Sequence, residues 1–420
     1  MAGSARAWLP LATAAAGAAA GIAANLLARD APWLAGLIAY GTEPVGQVFL
    51  RLLFMLVVPL LFSALVLGVS EVEVAQLGKM GLRMLGYTLV VSAIAAAIGL
   101  ALTILLRPGE GFAHPPRSGS FTATPAPSGL ELIVGMVPDN PVAAAAQGDM
   151  LGLIVFSLIF GVALSITKTD GTRALRSAIA GLYDVTMRLI AMVLRLLPVG
   201  VFALVFTMTA RLGLDVLTQL ASYVGVVMLG LALHMVVVYS ISVRFLGGMS
   251  PLAFFRGARE AMLTAFSTSS SSASLPTVLR VAKENLHLPD SASRFVLTAG
   301  AALNQNGTAL FEGVTVLFLA QVYGVDLTIG QQVTVMGLCI LGGIGTAGVP
   351  AGSLPVIASI LAMMGIPPEG LGLVLGVDRL LDMSRTTLNV TGDLAAAVYV
   401  ARHAGDEPAT TRDRAERDPL

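Results

Sequence analysis

The chain has 420 residues, of which 56% are hydrophobic and only 12% charged, and its mean hydropathy is +0.83. Soluble globular proteins carry about 25% charged residues, and so much apolar surface cannot be hidden in a water-soluble core, so the bilayer is the expected solvent for most of the chain. A net charge of zero, from 25 basic and 25 acidic residues, argues against a nucleic-acid binder, and the single Cys339 excludes an internal disulfide framework and a Cys-based structural zinc site.

Uncharged runs long enough to cross about 30 Å of hydrocarbon occupy residues 7–28, 52–70, 84–106, 150–167 and 216–243. The first follows Arg6 and contains Ala-x-Ala patterns, so a cleaved signal peptide competes with a first transmembrane helix; its uninterrupted length favours the helix. Residues 107–149 hold seven of the 21 prolines and predict a long loop leading into short helices. From 327 to 368 no charged residue appears, yet the run Gly342-Gly343-Ile344-Gly345-Thr346-Ala347-Gly348-Val349-Pro350 interrupts the apolar pattern. Residues 402–420 are too polar to build a core and predict a disordered tail. Its arginines, Arg402, Arg412, Arg414 and Arg417, place the C-terminus in the cytoplasm.

The last apolar stretch contains Asp378, Asp382, Arg385 and Asp393, with Thr386 and Asn389 among them. Charged groups at membrane depth cost about 2.5–3.5 kcal/mol each on insertion scales, so they need partners or a function. Residues 378, 382, 385, 389 and 393 stay within about 80° of one helix face and form a stripe about 22 Å long. A solvated surface face is the plainer reading, but Leu380, Leu381, Met383, Leu388 and Val390 flank the stripe with apolar groups. Three carboxylates against one guanidinium leave about two negative charges that must be protonated, paired elsewhere or joined by cations. Na⁺ suits carboxylate and carbonyl oxygens, and the planar fork of Arg385 suits a carboxylate. The stripe therefore describes an ion-coupled site for an acidic solute.

Two apolar segments are broken. Residues 264–277 read TAFSTSSSSASLPT and residues 341–355 read LGGIGTAGVPAGSLP; from Pro276 and from Pro350 the same 28 residues lead to Asn304 and to Asp378. Paired interruptions of this kind point to a transporter site, where exposed helix ends offer N–H groups to anions and carbonyls to cations.

With these residues in view, the chain resembles the glutamate/aspartate transporter family, the dicarboxylate/amino acid:cation symporters. The motifs are the serines 269–272, Asn304-Gln305-Asn306-Gly307-Thr308, Gly345-Thr346-Ala347-Gly348-Val349-Pro350, and the run from Asp378 to Asp393; weaker echoes are Met55-Leu56-Val57-Val58-Pro59 and Val137-Pro138-Asp139-Asn140-Pro141. The resemblance implies an all-α polytopic membrane protein with eight transmembrane helices, two re-entrant helical hairpins and an elevator mechanism in a homotrimer. It implies scaffold helices one and two over 1–81 and helix three of the transport domain over 82–106. A loop and scaffold helices four and five follow over 107–214, then helix six of the transport domain over 215–250. The transport core, with both hairpins and helices seven and eight, spans 251–404, and a cytoplasmic tail spans 405–420.

On matching positions the resemblance implies that Arg385 holds a substrate side-chain carboxylate and Asp382 an amino group, with Ser270, Ser271, Thr308, Val349, Thr386 and Asn389 completing the pocket. Relatives restricted to dicarboxylates tend to lack an acid at the position of Asp382, so an acidic amino acid, glutamate or aspartate, is the implied substrate. The resemblance also implies one Na⁺ site at Gly300, Asn304, Asn389 and Asp393, and a second at carbonyls near Ala302, Gly343, Ile344 and Thr346.

Departures from the family pattern matter as much. Asn306 and Val91 stand where the third sodium site has an aspartate and a threonine, which implies that this site is weak or absent. Glu312 lies where proton-coupled members carry a glutamate, and an intramembrane carboxyl suits a proton carrier; a structural partner for a basic or polar group is the alternative. The coupling ion is thus Na⁺, H⁺ or both. Ser269 and Met383 occupy the two places where members carry a substrate-site arginine. Arg379 is the nearest substitute, though about 100° from Asp378 around the helix. Phe54 replaces a lysine often found before the Met55 motif.

Other classes fit less well. For an intramembrane protease, the serines 269–272 have no evident His or Lys base nearby and no Gly-x-Ser-x-Gly elbow. His114, His234, His287 and His403 have no metal spacing, and His234 reads as a satisfied core residue. A channel does not need Arg385 beside Asp382. A C4-dicarboxylate symporter is the close alternative within the same class.

Overall fold

The computed structural model describes residues 2–28, 31–71, 79–111, 137–147, 150–193, 195–213, 215–345 and 353–404, and the regular structure among them is entirely helical. In chain order the helices are α1 (Ala2–Ala28), α2 (Pro32–Leu37), α3 (Glu43–Phe54), α4 (Val57–Glu71), α5 (Lys79–Leu106), α6 (Pro141–Gln147), α7 (Met150–Ile166), α8 (Asp170–Val193) and α9 (Leu197–Leu212). They continue as α10 (Asp215–Leu233), α11 (Pro251–Thr268), α12 (Ser271–Glu284), α13 (Asp290–Leu303), α14 (Asn306–Val322), α15 (Ile329–Gly345), α16 (Ser353–Met363) and α17 (Leu371–Ala404).

Two spans, Met80–Leu106 and Leu220–Leu246, are long and apolar enough to cross a membrane; at 1.5 Å per residue each reaches about 40 Å. The second includes two wide turns, His234–Val238 and Ser242–Leu246, in which the hydrogen bonding loosens. The pair α8–α9 passes the same test as one span, bent by 55° between them. Ala12–Ala28, Val58–Leu67, Gly152–Ile166 and Ile329–Gly343 are shorter apolar helices.

Several sequence expectations change in detail. The apolar run 52–70 is not one helix: α3 and α4 meet at a turn through Met55 and Leu56. Pro59 causes this, because it has no N–H for the Met55 carbonyl and its ring crowds that oxygen. The interruption expected across 264–277 narrows to Ser269 and Ser270, and Pro276 is absorbed inside α12. His234 is fully buried, but neither ring nitrogen has a hydrogen-bond partner among the described residues, so it is a core residue without being a satisfied one; its ring meets Tyr239 edge-on at 4.9 Å. Of the proline-rich 107–149 stretch, a turn after α5 and the short α6 are described. The tail expected to be disordered from 402 begins later, since residues 402–404 complete α17; residues 112–136, 346–352 (the second hairpin tip) and 405–420 lie outside the described residues.

The core is centred on α14, in which every residue except Gln321 is buried. A helix apolar on all sides belongs in an interior, and α14 packs against α5, α15, α16 and α17. Gly99 lets α5 approach closely, since a Cβ there would lie 2.8 Å from the Leu310 carbonyl oxygen. α17 runs past α11, α13, α14 and α9. Near its C-terminus Arg402 donates to the carbonyls of Phe245 and Leu246 at 3.1 and 3.3 Å, tying this long helix to the turn before α11. α13, α14 and α17 thus bring both polar clusters into one buried region.

Candidate functional site

The polar stripe of α17 faces inward, with Asp378, Asp382, Arg385, Thr386, Asn389 and Asp393 all buried. Arg385 donates from Nε and Nη2 to Asp382 Oδ1 at 3.0 and 2.7 Å. Its Nη1 lies 3.7 Å from Asp378 Oδ1, an ion pair without a hydrogen bond, and both of those atoms lack hydrogen-bond partners among the described residues. The guanidinium lies 4.5 Å from the centre of the Phe311 ring, a cation–π contact strengthened where water is excluded. Arg379, at the edge of the stripe, brings Nη1 within 4.0 Å of Asp382 Oδ2. Asp382 therefore lies between two arginines. Buried pairs of this kind offset their desolvation only when hydrogen bonding is nearly complete, and here a guanidinium nitrogen remains without one.

Opposite the stripe, α13 and α14 are separated by Asn304 and Gln305, neither in helical conformation (ψ 73° and 54°). The break turns three side chains toward α17. Asn304 Nδ2 donates to Asp393 Oδ1 at 3.0 Å, while Asn304 Oδ1 has no partner among the described residues. Asn389 Nδ2 donates to Gln305 Oε1 at 2.5 Å and to Thr308 Oγ1 at 3.1 Å, and Asn389 Oδ1 accepts the Gly307 N–H at 2.7 Å. Gln305 Nε2 donates to the Ala301 carbonyl at 2.9 Å.

Two glycines make these approaches possible: a Cβ on Gly300 would lie 2.7 Å from Asp393 Oδ1, and one on Gly307 2.7 Å from the Arg385 carbonyl oxygen. Gly300 and Asn304 are thus brought against Asp393, while Asn389, one helical turn before Asp393 on α17, is joined by Thr308. The donor set is oxygen-rich, of the kind hard cations take. Among the described residues no group of three His, Cys, Asp or Glu is arranged to hold a metal ion.

The second expected cation site is only partly within view. Gly343 lies against Gln305, where an added Cβ would sit 3.3 Å from its carbonyl oxygen. Ala302 and Ile344 lie at the ends of α13 and α15. Thr346 and Val349 lie outside the described residues. Glu312 is fully buried on α14 with neither carboxyl oxygen hydrogen-bonded among the described residues, and it faces α15, where a Cβ on Gly342 would come 3.0 Å from Oε2.

At the first hairpin tip, Ser269 adopts a left-handed conformation at φ 52°, unusual for a residue other than glycine. Ser270 caps α12 by accepting the Ala273 N–H at 3.2 Å. The hydroxyls of Ser269 and Ser271 are buried without hydrogen-bond partners among the described residues, and α12 packs on α17.

Asn306 is engaged elsewhere. Its Oδ1 accepts from Ser92 at 2.7 Å, and its Nδ2 donates to Tyr239 Oη at 3.0 Å, whose own hydroxyl donates to the Leu388 carbonyl at 3.1 Å. Sequence reasoning gave no role to Ser92, Tyr239, Phe311 or the Gln305 side chain. Only Gln305 carried a usable signal, as a polar residue inside the motif that breaks the helix.

Comparison at the level of families matches residues 8–403 to the sodium:dicarboxylate symporter family. The chain is 33% identical over 388 residues to the proton/sodium-glutamate symport protein of Bacillus subtilis (strain 168), covering 89% of this chain and 90% of that one. It is 34% identical over 371 residues to the proton/glutamate-aspartate symporter of Escherichia coli (strain K12), covering 86% and 84%. It is 30% identical over 439 residues to human excitatory amino acid transporter 3, covering 92% and 83%.

Proposed function

The chain belongs to the sodium:dicarboxylate symporter family, and from that premise we propose that it is a secondary transporter taking up glutamate and aspartate together with Na⁺, H⁺ or both. The observation that carries the reading is the buried Asp382–Arg385 pair of α17, with the Phe311 ring of α14 against its guanidinium. An acidic amino acid offers one charge to each member: its side-chain carboxylate to Arg385 and its ammonium to Asp382. Ser270, Ser271, Thr308, Val349, Thr386 and Asn389 complete the pocket, and Arg379 steadies the far oxygen of Asp382.

In this reading the carboxylates left over by Arg385 are matched by the coupling ions. One Na⁺ is held by Gly300, Asn304, Asn389 and Asp393, for which the unpartnered Asn304 Oδ1 is a ready ligand. A second is held by carbonyls around Ala302, Gly343, Ile344 and Thr346. A third sodium site is weak or absent, because an amide at Asn306, already hydrogen-bonded to Ser92 and Tyr239, replaces a carboxylate. Glu312 carries a proton: its carboxyl group has no hydrogen-bond partner among the described residues and faces α15 of the second hairpin.

The wider architecture follows the family: eight transmembrane helices, two re-entrant hairpins and a homotrimer in the cell's inner (plasma) membrane, with the C-terminus cytoplasmic. Residues 82–106, 215–250 and 251–404 move as the transport domain against scaffold helices in 1–81 and 107–214.

Titration of glutamate, aspartate and succinate into the purified protein by calorimetry, with and without Na⁺, tests the substrate assignment. Glutamate or aspartate binding tighter than succinate supports it. Succinate binding more tightly replaces it with a C4-dicarboxylate symporter.

A further inference from the structure

Away from the transport site, a groove of about 560 Å³ runs between the wide-turned continuation of α10 and the hairpin arm α11. Met235, Val236 and Ser240 form one wall and Phe255, Arg259 and Met262 the other. Apart from Ser240 and Arg259 these six are apolar, and the groove opens outward beside exposed Val236.

One arginine lines it, and two more follow lining residues by one helical turn. Arg259 lines the groove itself. Arg256 follows Leu252 by four residues on the same face of α11, and Arg244 follows Ser240 by four on the opposite wall. All three are exposed, and none of their side chains has an ion-pair or hydrogen-bond partner among the described residues. The acid beside them in sequence, Glu260, pairs instead with Arg280, which also reaches Glu284 at 3.5 Å. An apolar groove in a membrane-embedded chain is filled by an acyl chain, but that alone selects no headgroup. The uncompensated guanidiniums do, because their planar forks match phosphate oxygens.

We propose that this groove binds one anionic phospholipid, its acyl chain along Met235, Val236, Phe255 and Met262 and its phosphate at Arg259, with Arg256 and Arg244 at the rim. From 244 to 294 the chain carries Arg244, Arg256, Arg259, Arg280, Lys283 and Arg294 against Glu260, Glu284 and Asp290. That excess puts the turn between α10 and α11 on the cytoplasmic face, where anionic lipids also gather. Because α11 leads to the hairpin tip at Ser269, the bound lipid braces that arm.

The test is native mass spectrometry of the full chain in detergent, offered equimolar phosphatidylglycerol and phosphatidylcholine with matched acyl chains. Wild-type protein retains phosphatidylglycerol preferentially. Affinity for it falls about fivefold per arginine removed, and so about thirtyfold in Arg256→Gln/Arg259→Gln. Val236→Trp, which fills the groove, lowers retention of both lipids. Arg259→Lys restores part of the preference, and Arg294→Gln, an exposed arginine on α13, leaves it unchanged. Equal retention of the two lipids by wild type, a preference that survives in the double variant, or undiminished lipid retention in Val236→Trp overturns the proposal.

Discussion

Arg385 gives two hydrogen bonds to a single oxygen of Asp382, at 3.0 and 2.7 Å, and both side chains are buried. The group suited to a substrate carboxylate and the group suited to a substrate ammonium therefore satisfy each other. A ligand carrying both charges can separate the pair and replace each partner. A dicarboxylate replaces only one, and leaves Asp382 without its hydrogen-bonded partner, with only the more distant Arg379 at 4.0 Å beside it. Leaving one member of a buried pair unmatched costs about 3–5 kcal/mol, which is a discrimination of over a hundredfold. On the proposed reading, this arrangement favours zwitterionic acids.

Asp382→Asn removes that penalty for dicarboxylates and the ammonium partner for amino acids. Glutamate and aspartate uptake is expected to fall about a hundredfold or more, while succinate becomes the better competitor. Competition for labelled aspartate by unlabelled succinate, in wild type and variant, checks the reversal. An unchanged order of competitors contradicts the role given to Asp382.

Arg385→Ala is expected to abolish acidic amino acid uptake while leaving assembly intact, as read by elution in gel filtration. Among the described residues the ion-pair and cation–π partners of its guanidinium are Asp382, Asp378 and Phe311, all on α14 and α17, so no ion pair to the proposed scaffold is lost. Uptake like that of wild type refutes the pocket assignment.

Glu312→Gln fixes the side chain in an uncharged form that cannot release a proton. If Glu312 carries the proton, uptake in the variant loses its dependence on external pH and no longer responds to an imposed proton gradient. A pH profile matching wild type makes Glu312 a structural group.

Much of this site was legible in the chain because membrane burial makes polar residues conspicuous. The α17 stripe stood out as five polar positions on one face among apolar neighbours, and Gly300 and Asn304 lie against Asp393. What the chain could not display were pairings between elements. Nothing in the spacing of Gln305 and Asn389 announces that their amides meet across 84 positions, nor that Phe311 underlies Arg385. The break at Met55 was missed for a different reason: a run chosen for its lack of charge takes no account of Pro59, whose effect is on the hydrogen bonding of the preceding turn. The narrow break at Ser269 and Ser270 shows the opposite error, since serine-rich sequence suggests loop even where Ser270 serves as a helix cap.

Gly300→Ala probes the cation site without touching a ligand side chain. The added methyl would meet Asp393 Oδ1 at 2.7 Å, a distance that forces Asp393 or α13 to shift. Half-maximal Na⁺ activation of substrate binding should rise about tenfold, equivalent to about 1.4 kcal/mol. Gly330→Ala, whose nearest neighbour is a threonine hydroxyl at 4.0 Å, should leave it unchanged. Equal effects from the two variants contradict the placement of Na⁺ beside Asp393.

Asn306→Asp restores a carboxylate next to Ser92, which still donates to it, while the Tyr239 hydroxyl turns from accepting to donating and releases the Leu388 carbonyl. The added negative charge is best compensated by a cation, so the Na⁺ dependence of uptake should steepen. A variant with the wild-type Hill coefficient contradicts the assignment of Asn306 as the reason a third sodium site is weak.

The most direct test of the whole account is accumulation of labelled glutamate and aspartate in proteoliposomes, with a Na⁺ gradient and a proton gradient imposed separately. Concentrative uptake driven by at least one of the two gradients and lost in Arg385→Ala is the predicted result, with Na⁺ drive assigning the coupling to the Asp393 site and proton drive to Glu312. Equilibration without accumulation under both gradients, or accumulation of succinate alone, contradicts it.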